Sequence, residues 1–207
     1  MMEQRTDEWF RARLGKVTAS RISDVLASKT TAGYQNYQAQ LIAERLTGER
    51  YESHVTTAMQ WGIDKEEDAR SLYEFMTDET VMEIGFVPHF IIKQSGASPD
   101  GLIGLNGQLE IKCPNTATHI KTLTTRKIEK KYRDQMTWQM ACTGRHWCDF
   151  VSYDPRLPAE HNLCVIRFKR DDEKVKELEL AVKEFLEDLD DKIVQIKAVA
   201  EEKPDGE

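Results

Sequence analysis

Residues 98–114 read Ser-Pro-Asp-Gly-Leu-Ile-Gly-Leu-Asn-Gly-Gln-Leu-Glu-Ile-Lys-Cys-Pro, and the other parts of the chain are interpreted from this segment. Its second half is a short apolar run bounded by glycine and proline, which predicts a β-strand. Side chains alternate between the faces of a strand, so Glu110 and Lys112 point to one side while Ile111 points into the core. The strand therefore presents a carboxylate and an ammonium together.

The residues before this strand predict a hairpin. Gly104 and the Asn106-Gly107 pair favour a tight turn, which folds Asp100 back beside Glu110. Two carboxylates and Lys112 then converge at one strand end, where oxygen ligands suit Mg²⁺ and a cation lies beside an activated water or a phosphate. Two other interpretations stay open here: an exposed strand face that carries an ion pair, and an aspartate that only serves a turn.

Composition predicts one folded domain. A chain of 207 residues with 40% hydrophobic and 31% charged residues fits a single globular domain with a sizeable core. We expect no signal peptide, because residues 1–7 contain no apolar segment, and no membrane span, because no apolar run is long enough. The cysteines form no Cys-x-x-Cys pair, which argues against a zinc or iron–sulfur site and predicts a reducing compartment, the cytoplasm; they are Cys113, Cys142, Cys148 and Cys164.

The negative charge belongs mostly to one end of the chain. The net charge is −7, but residues 171–207 hold 14 acids and 6 bases while residues 1–170 hold 22 acids and 23 bases. A nucleic-acid partner requires a local basic face rather than a basic total. One segment fits that requirement, although a solvated helix face would also explain its bases, which are Lys121, Arg126, Lys127, Lys130, Lys131 and Arg133.

Periodicity predicts an α/β chain. Apolar residues at helical spacing predict a helix after Ser20 and helices over residues 6–14, 34–47, 57–77, 116–124, 127–143 and 172–200. Besides the segment above, strands are predicted over residues 80–87, 89–94, 147–153 and 162–168.

Two helices carry polar groups that a site can use. Arg13 lies near Ser20, which begins a helix, and free N–H groups at a helix start together with a guanidinium favour a phosphate. Ser20 is equally explained as a helix cap. Tyr132, Gln135 and Gln139 fall at helical spacing on the helix predicted over 127–143. Two interpretations stay open for Tyr132 and Gln135: they line a cleft, or they are the polar border of a half-buried helix.

With these residues laid out, the chain resembles the bacteriophage lambda exonuclease family, which includes alkaline exonucleases and YqaJ-like viral recombinase nucleases of the PD-(D/E)xK superfamily. Pro-Asp, nine intervening residues and Glu-x-Lys match the nuclease core. The resemblance spans residues 7–156 and rests on Asp7-Glu-Trp-Phe-Arg-Ala-Arg-Leu-Gly, Val-Thr-Ala-Ser20, Trp61-Gly-Ile-Asp-Lys-Glu66, Ser98-Pro-Asp-Gly-Leu, Leu109-Glu-Ile-Lys-Cys-Pro, Tyr132-x-x-Gln135 and Tyr153-Asp-Pro-Arg156.

The resemblance implies a role for each matching residue. Asp100, Glu110, Glu66 and the Ile111 carbonyl hold Mg²⁺, for which Mn²⁺ can substitute, and Lys112 is the catalytic lysine. The implied 5′-phosphate ligands are Arg13, Ser20 and Ser98. The expected DNA contacts are Gln135, Tyr132, Met59 and Lys121.

One departure from the family pattern affects the phosphate site. Thr118 stands where the family's prototype has an arginine that also binds the terminal phosphate. Either His119 or Lys121 substitutes for that arginine, or dependence on the 5′-phosphate is weaker in this chain.

The expectations for the whole chain follow from the same resemblance. The fold is a restriction-endonuclease-like α/β fold with a mixed central sheet flanked by helices, in one nuclease domain over 1–207 whose residues 171–207 form an acidic helix and tail. The activity is 5′→3′ exonuclease action on double-stranded DNA, releasing 5′-mononucleotides and leaving 3′ single strands for annealing. A structure-specific endonuclease or a catalytically silent DNA-binding module are the alternatives. The expected partners are the ends of double-stranded DNA, two further copies in a homotrimeric ring and a single-strand annealing protein. The expected location is the cytoplasm of a bacterial host cell, and the expected gene belongs to a phage or prophage.

Overall fold

The structure, a computed structural model, describes residues 3–51 and 55–201. Its α-helices are α1 (Asp7–Arg13), α2 (Ile22–Val25), α3 (Ala32–Thr47), α4 (Thr57–Thr77), α5 (Thr116–Thr125), α6 (Lys130–Thr143) and α7 (Asp172–Glu201). Its strands are β1 (Val17–Thr18), β2 (Val81–Met82), β3 (Val87–Pro88), β4 (Ser95–Ala97), β5 (Gly101–Ile103), β6 (Gly107–Lys112), β7 (Trp147–Tyr153) and β8 (Leu163–Lys169). The helix and strand predictions are confirmed in most places; part of the predicted acidic tail, beyond residue 201, lies outside the described residues.

The central sheet is mixed, as expected. Its order is β2-β5-β6-β7-β8, with β6 parallel to β7 and the other neighbouring strands antiparallel. The β5–β6 hairpin is confirmed, although its turn is Gly104–Asn106 and Gly107 already belongs to β6. A Cβ atom at Gly107 would lie 2.3 Å from the Trp147 ring, so only glycine fits there. The remaining strands form a second sheet in the order β1-β4-β3.

Helices cover both faces of β6. Leu109 and Ile111 pack with Ala69 and Tyr73 of α4 on one face. On the other face α6 packs over the central sheet, where Met136 and Met140 of α6 contact Phe150 of the neighbouring β7. The side chains of Glu110 and Lys112 lie on this second face. The alternative of an exposed strand face is therefore wrong, since Glu110 is only 1% exposed.

The largest core lies beside the second sheet. Helix α7 buries Leu178, Val182, Phe185 and Leu189 against α2, α3 and Trp138 of α6. The last turns of α7 leave apolar residues exposed, among them Val194 at 66%. The long helix therefore belongs to the core up to Ile193, which is partly buried against the same cluster.

Residues 89–94 do not form the predicted strand. The N–H groups of Ile91 and Ile92 donate to Nδ1 of His89 at 3.3 and 3.1 Å, and this local turn replaces a strand ladder. Phe90 and Ile91 are 85% and 68% exposed, so the apolar run is not a core element. The predicted strand over 80–87 is likewise reduced to β2 and the first residue of β3.

The apolar stripe predicted for α4 is also wrong in part. The bounds of the helix match the prediction, but only Ala69 and Tyr73 are buried. Met59 and Met76 are 53% and 59% exposed. The first turns of α4 therefore present apolar surface to solvent.

Candidate active site

The hairpin places Asp100 at the end of β6. The Asp100 N–H donates to the Leu109 carbonyl at 3.1 Å, and the Ile111 N–H donates to Oδ2 of Asp100 at 2.6 Å. One backbone donor of the neighbouring strand, the Ile111 N–H, thus fixes this carboxylate, and Asp100 does more than serve a turn. Asp100 and Glu110 stand together as predicted.

Glu110 is held on both oxygens. Nε2 of Gln135 donates to Oε1 at 2.6 Å, and Nε2 of Gln139 donates to Oε2 at 2.6 Å. The Lys112 ammonium forms an ion pair with Oε1. One carboxylate therefore connects the helix α6 with the catalytic lysine candidate.

The charges in this cluster are coupled. Burial, and after it the negative charge of Glu110, raises the pKa of Asp100 well above its ordinary value; Glu66 adds to the shift, while Lys112 opposes it. Burial by itself would lower the pKa of Lys112, but Glu110 and Asp100 outweigh burial and raise that pKa. The site therefore combines a carboxyl that resists ionisation with an ammonium that resists deprotonation.

Glu66 reaches this end of the sheet from α4. Its carboxylate forms an ion pair with Arg5, whose backbone has a φ of 67°. The flanking Gln4 anchors the segment by donating to the carbonyls of Ile84 and Pro99 at 2.8 and 2.9 Å. Arg5 is thereby held beside Glu66, the residue for which the family resemblance implies a metal-binding role.

The donor set fits a hard divalent cation. Within residues 3–51 and 55–201, no three or more His, Cys, Asp or Glu side chains stand at metal-ligand spacing. Burial is the first cause of the raised pKa of Asp100, and the negative charges of Glu110 and Glu66 raise it further. A cation held by carboxylate and carbonyl oxygens would offset those charges.

Arg13 and Ser98 lie together, as the phosphate prediction requires. Nη1 of Arg13 donates to Oγ of Ser98 at 3.1 Å, and Nε1 of Trp9 donates to the same oxygen at 2.9 Å. The guanidinium stacks on the Trp9 ring, with Cζ 4.0 Å from its centroid. Burial lowers the pKa of Arg13 to about 10, and nearby Arg50 contributes to the shift. Within the described residues Arg13 forms no ion pair.

Ser20 lies at the same end of the second sheet. Thr18 pairs with Gly96 in the parallel β1–β4 ladder, and Ser20 and Ser98 each follow two residues later. Oγ of Ser20 is 3.4 Å from Oγ1 of Thr18. Ser20 belongs to a short 3₁₀ turn, so the predicted α-helix begins only at α2.

The expected DNA contacts occupy different positions. Tyr132 borders the cluster of Asp100, Glu110 and Lys112, because Nζ of Lys112 lies 5.3 Å from its ring centroid. Met59 and Lys121 are exposed. His119 is wrong as a substitute phosphate ligand: it is fully buried and bonded to Ser152 and the His161 carbonyl at 2.7 and 2.9 Å.

The basic segment is partly neutralised. Lys130 pairs with Asp134 at 2.5 Å, and Lys131 pairs with Glu129 at 3.3 Å. Arg126 ends α5 in a left-handed conformation and donates to the Val165 carbonyl at 2.7 Å. Lys121 and Lys127 remain exposed on this surface.

Three residues join the site without having been assigned to it. Gln139 lies one helical turn beyond Gln135, and that spacing was the available signal. Trp9 adjoins Arg13 in the folded chain, and its place in the first motif pointed toward the site. Nothing in the sequence pattern singled out Arg5.

Comparison with protein families gives one family. Residues 8–146 match the YqaJ-like viral recombinase domain. No curated protein matches the chain.

Three solved structures of exonucleases resemble this protein. The chain is similar to an alkaline exonuclease (LHK-Exo) from Laribacter hongkongensis, with 49% identity, a TM-score of 0.90 and coverage of 96% of this chain and 100% of that one. The same exonuclease in complex with dAMP gives 50% identity and a TM-score of 0.91 at equal coverage. A phage-related exonuclease from Haemophilus somnus 129PT, at 14% identity, shares the fold, with a TM-score of 0.69 over 87% of this chain and 96% of that one.

Proposed function

The chain belongs to the YqaJ-like viral recombinase family, and on that premise we propose that it is a metal-dependent 5′→3′ exonuclease on double-stranded DNA. The proposed reaction releases 5′-mononucleotides and leaves a 3′ single strand for recombination by annealing. The observation that carries the proposal is the placement of Asp100, Glu110 and Lys112 at one end of β6. These are the groups that hydrolysis of a phosphodiester requires.

The proposed metal ligands are Asp100, Glu110, Glu66 and the Ile111 carbonyl, and the proposed ion is Mg²⁺ or Mn²⁺. Such an ion, when bound, supplies an activated water and neutralises phosphate charge. The chain's own groups do the rest: Lys112 places a positive charge beside the reacting phosphate, and the amides of Gln135 and Gln139 hold Glu110. A carboxylate fixed in this way needs little rearrangement during the reaction.

Asp100 should make metal binding depend on pH. Burial and the charge of Glu110 raise the pKa of this carboxyl, so its ionisation requires a higher pH than that of an exposed aspartate. Metal binding to the ionised form must then release a proton, and metal affinity is expected to rise with pH.

The proposal extends to the terminal phosphate and to DNA. Arg13, Ser98 and Ser20 would hold the 5′-phosphate, and each hydrolysis leaves a new 5′-phosphate for the same pocket. Tyr132, Gln135, Met59 and Lys121 would contact the duplex. Repeated binding of the new 5′-phosphate in this pocket would make the enzyme advance from the 5′ end in one direction.

Assembly is proposed on the resemblance to the family. A homotrimeric ring would enclose the duplex, and a single-strand annealing protein would receive the 3′ strand. Exposed apolar side chains such as Phe75 and Phe90, at 86% and 85% exposure, suit contacts between copies. Sedimentation at the mass of one 23.9 kDa chain across micromolar concentrations would contradict the ring.

A digestion assay tests the activity. Linear duplexes labelled at either 5′ or 3′ ends are incubated with Mg²⁺, beside a covalently closed circle of the same sequence. We expect label loss from 5′ ends as mononucleotides and an intact circle. Nicking of the circle would favour a structure-specific endonuclease, and no cleavage of either substrate would favour a DNA-binding module.

The ion pair between Arg5 and Glu66 gives a prediction about metal affinity. Arg5→Gly removes a cation that competes for Glu66, and glycine adopts the positive φ of this position without strain. We expect Mg²⁺ to bind about two- to fivefold more tightly, because a partly exposed ion pair contributes up to about 1 kcal/mol. Isothermal titration calorimetry on the DNA-free protein measures the change.

The matched variant is Glu66→Ala, which removes the proposed ligand and should weaken Mg²⁺ binding. Equal affinity in Glu66→Ala and the unaltered protein would remove Glu66 from the ligand set. Unchanged affinity in Arg5→Gly alone would show that the guanidinium does not compete with the metal.

A further inference from the structure

Helix α6 and strand β6 meet through polar side chains at matching intervals. Gln135, Gln139 and Thr143 are spaced four residues apart on α6, and Gln108 and Glu110 are spaced two apart on β6. Four helical residues rise about 6 Å and two strand residues about 6.6 Å, so the two rows stay in step. The order of the contacts shows that α6 runs opposite to β6.

These side chains form a directional chain of hydrogen bonds. Oγ1 of Thr143 donates to Oε1 of Gln108 at 2.8 Å, and Nε2 of Gln108 donates to Oε1 of Gln139 at 3.2 Å. Nε2 of Gln139 then donates to Oε2 of Glu110 at 2.6 Å. This series of hydrogen bonds ends on the Glu110 carboxylate, which is an acceptor. Each amide therefore has its oxygen toward Thr143 and its nitrogen toward Glu110.

The chain runs through an otherwise apolar layer. Gln108 and Gln139 are fully buried, and the neighbouring side chains include Met136, Met140 and Phe150. Buried amides in such a layer are costly unless they are bonded, and each of these two is bonded at both ends. The series of hydrogen bonds ends on Glu110, which is ionisable, so it bears directly on a side chain of the candidate site.

We propose that Gln139 is a positioning residue that sets the rotation of the Glu110 carboxylate, and that Gln108 and Thr143 set the orientation of the Gln139 amide. Oε2 is anchored inward on Gln139, while Oε1 is left on the side of Lys112 and the partly exposed Gln135. Oε1 is therefore the oxygen presented to the reaction. This inference rests on the proposed function, because Glu110 is placed there as a metal ligand.

The test is Gln139→Met, which keeps the length of the side chain and removes its donor. We expect kcat to fall about 10- to 100-fold, with KM for DNA within about twofold, because loss of groups that orient a ligand typically has effects of this size. Calorimetry on the DNA-free protein should show Mg²⁺ binding weakened in the same range. This second readout does not depend on cleavage.

Gln38→Met is the matched control. Gln38 is another buried glutamine, 1% exposed, in the separate core beside α7, where it accepts from Lys192. The Gln38→Met substitution should lower thermal stability and leave kcat and Mg²⁺ affinity unchanged. If Gln139→Met behaves like Gln38→Met, losing stability alone, Gln139 has only a structural role and the inference is overturned.

Thr143→Val keeps the test decisive if Gln139→Met does not fold. Valine has nearly the shape of threonine and removes the hydroxyl that donates to Gln108, two links from Glu110. The same hydroxyl also lies 3.0 Å from the Gln139 carbonyl and accepts from the Arg145 N–H at 3.3 Å, at the end of α6 away from Glu110. We expect a two- to fivefold fall in kcat and in Mg²⁺ affinity, below the effect on Gln139 itself. Wild-type values for both quantities would overturn the inference. Absence of cleavage by the unaltered protein would instead contradict the proposed function, and the Mg²⁺ titrations would still judge the role of Gln139.

Discussion

Glu110→Gln and Lys112→Met are each expected to slow DNA cleavage by a factor of about 10²–10⁴. Glutamine at 110 keeps the shape of the side chain but removes the charge that a metal and Lys112 would share. Methionine at 112 keeps the aliphatic stem and removes the ammonium whose pKa Glu110 and Asp100 raise. Both changes delete charge at the reacting end of β6, so the catalytic step is affected more than the fold.

The measurements are single-turnover digestion of a linear duplex with Mg²⁺ and, separately, DNA binding with Ca²⁺ in place of Mg²⁺. Ca²⁺ should support binding without turnover because its coordination is looser. Lys169→Met, at the exposed end of β8, is the control for loss of a lysine and should cleave at the normal rate. A variant at 110 or 112 that keeps more than about one hundredth of the normal rate would remove that residue from the proposed chemistry.

Arg13→Ala is expected to slow digestion of 5′-phosphorylated ends about 10- to 100-fold and to change digestion of 5′-hydroxyl ends much less. A guanidinium binds phosphate oxygens through charge-assisted hydrogen bonds, each contributing about 1.5–3 kcal/mol. Arg13 is already aligned by Trp9 and Ser98, at 4.0 Å and 3.1 Å, so little side-chain entropy is lost on binding. The ratio of rates on the two kinds of end, measured on one duplex sequence, reports the effect.

Arg11→Ala provides the comparison within the same helix. Arg11 is exposed and lies two residues from Arg13, on another face of α1. It should leave the ratio of the two rates unchanged. If the unaltered protein digests both kinds of end equally fast, Arg13, Ser20 and Ser98 do not read a phosphate, and the absence of an arginine at Thr118 would be the physical reason.

Much of the fold was predictable from local signals. Thr6 and Thr56 cap α1 and α4 with their side chains, and a left-handed Gly48 ends α3, so these helix bounds follow from capping chemistry. The hairpin around Asp100 follows from turn residues within the same short segment. Such features depend on residues close together in sequence, where pattern and structure agree.

Two failed predictions have different physical causes. The apolar run at Phe90 and Ile91 satisfies a strand pattern, but His89 captures the two N–H groups that a ladder would use. Met59 satisfies a helix pattern, but nothing in the described residues packs over that turn of α4, so it stays exposed. Hydrophobic spacing indicates which residues can be buried, whereas the neighbours available in space determine which ones are.

The pairing of Asp100 with Glu110 was predictable from sequence alone, because a strand alternates its side chains and a short hairpin brings its two ends together. The family and the class of fold were predictable from the motifs that resemble the family over residues 7–156. The partners of those carboxylates were settled by tertiary structure. Gln139 meets Glu110 only because α6 packs antiparallel to β6, and Arg5 meets Glu66 only because Gln4 ties the N-terminal segment across the chain. The first of these contacts joins residues that are 29 positions apart in sequence, and the second joins residues that are 61 positions apart. Such contacts depend on how helices and strands pack, which the local pattern does not encode.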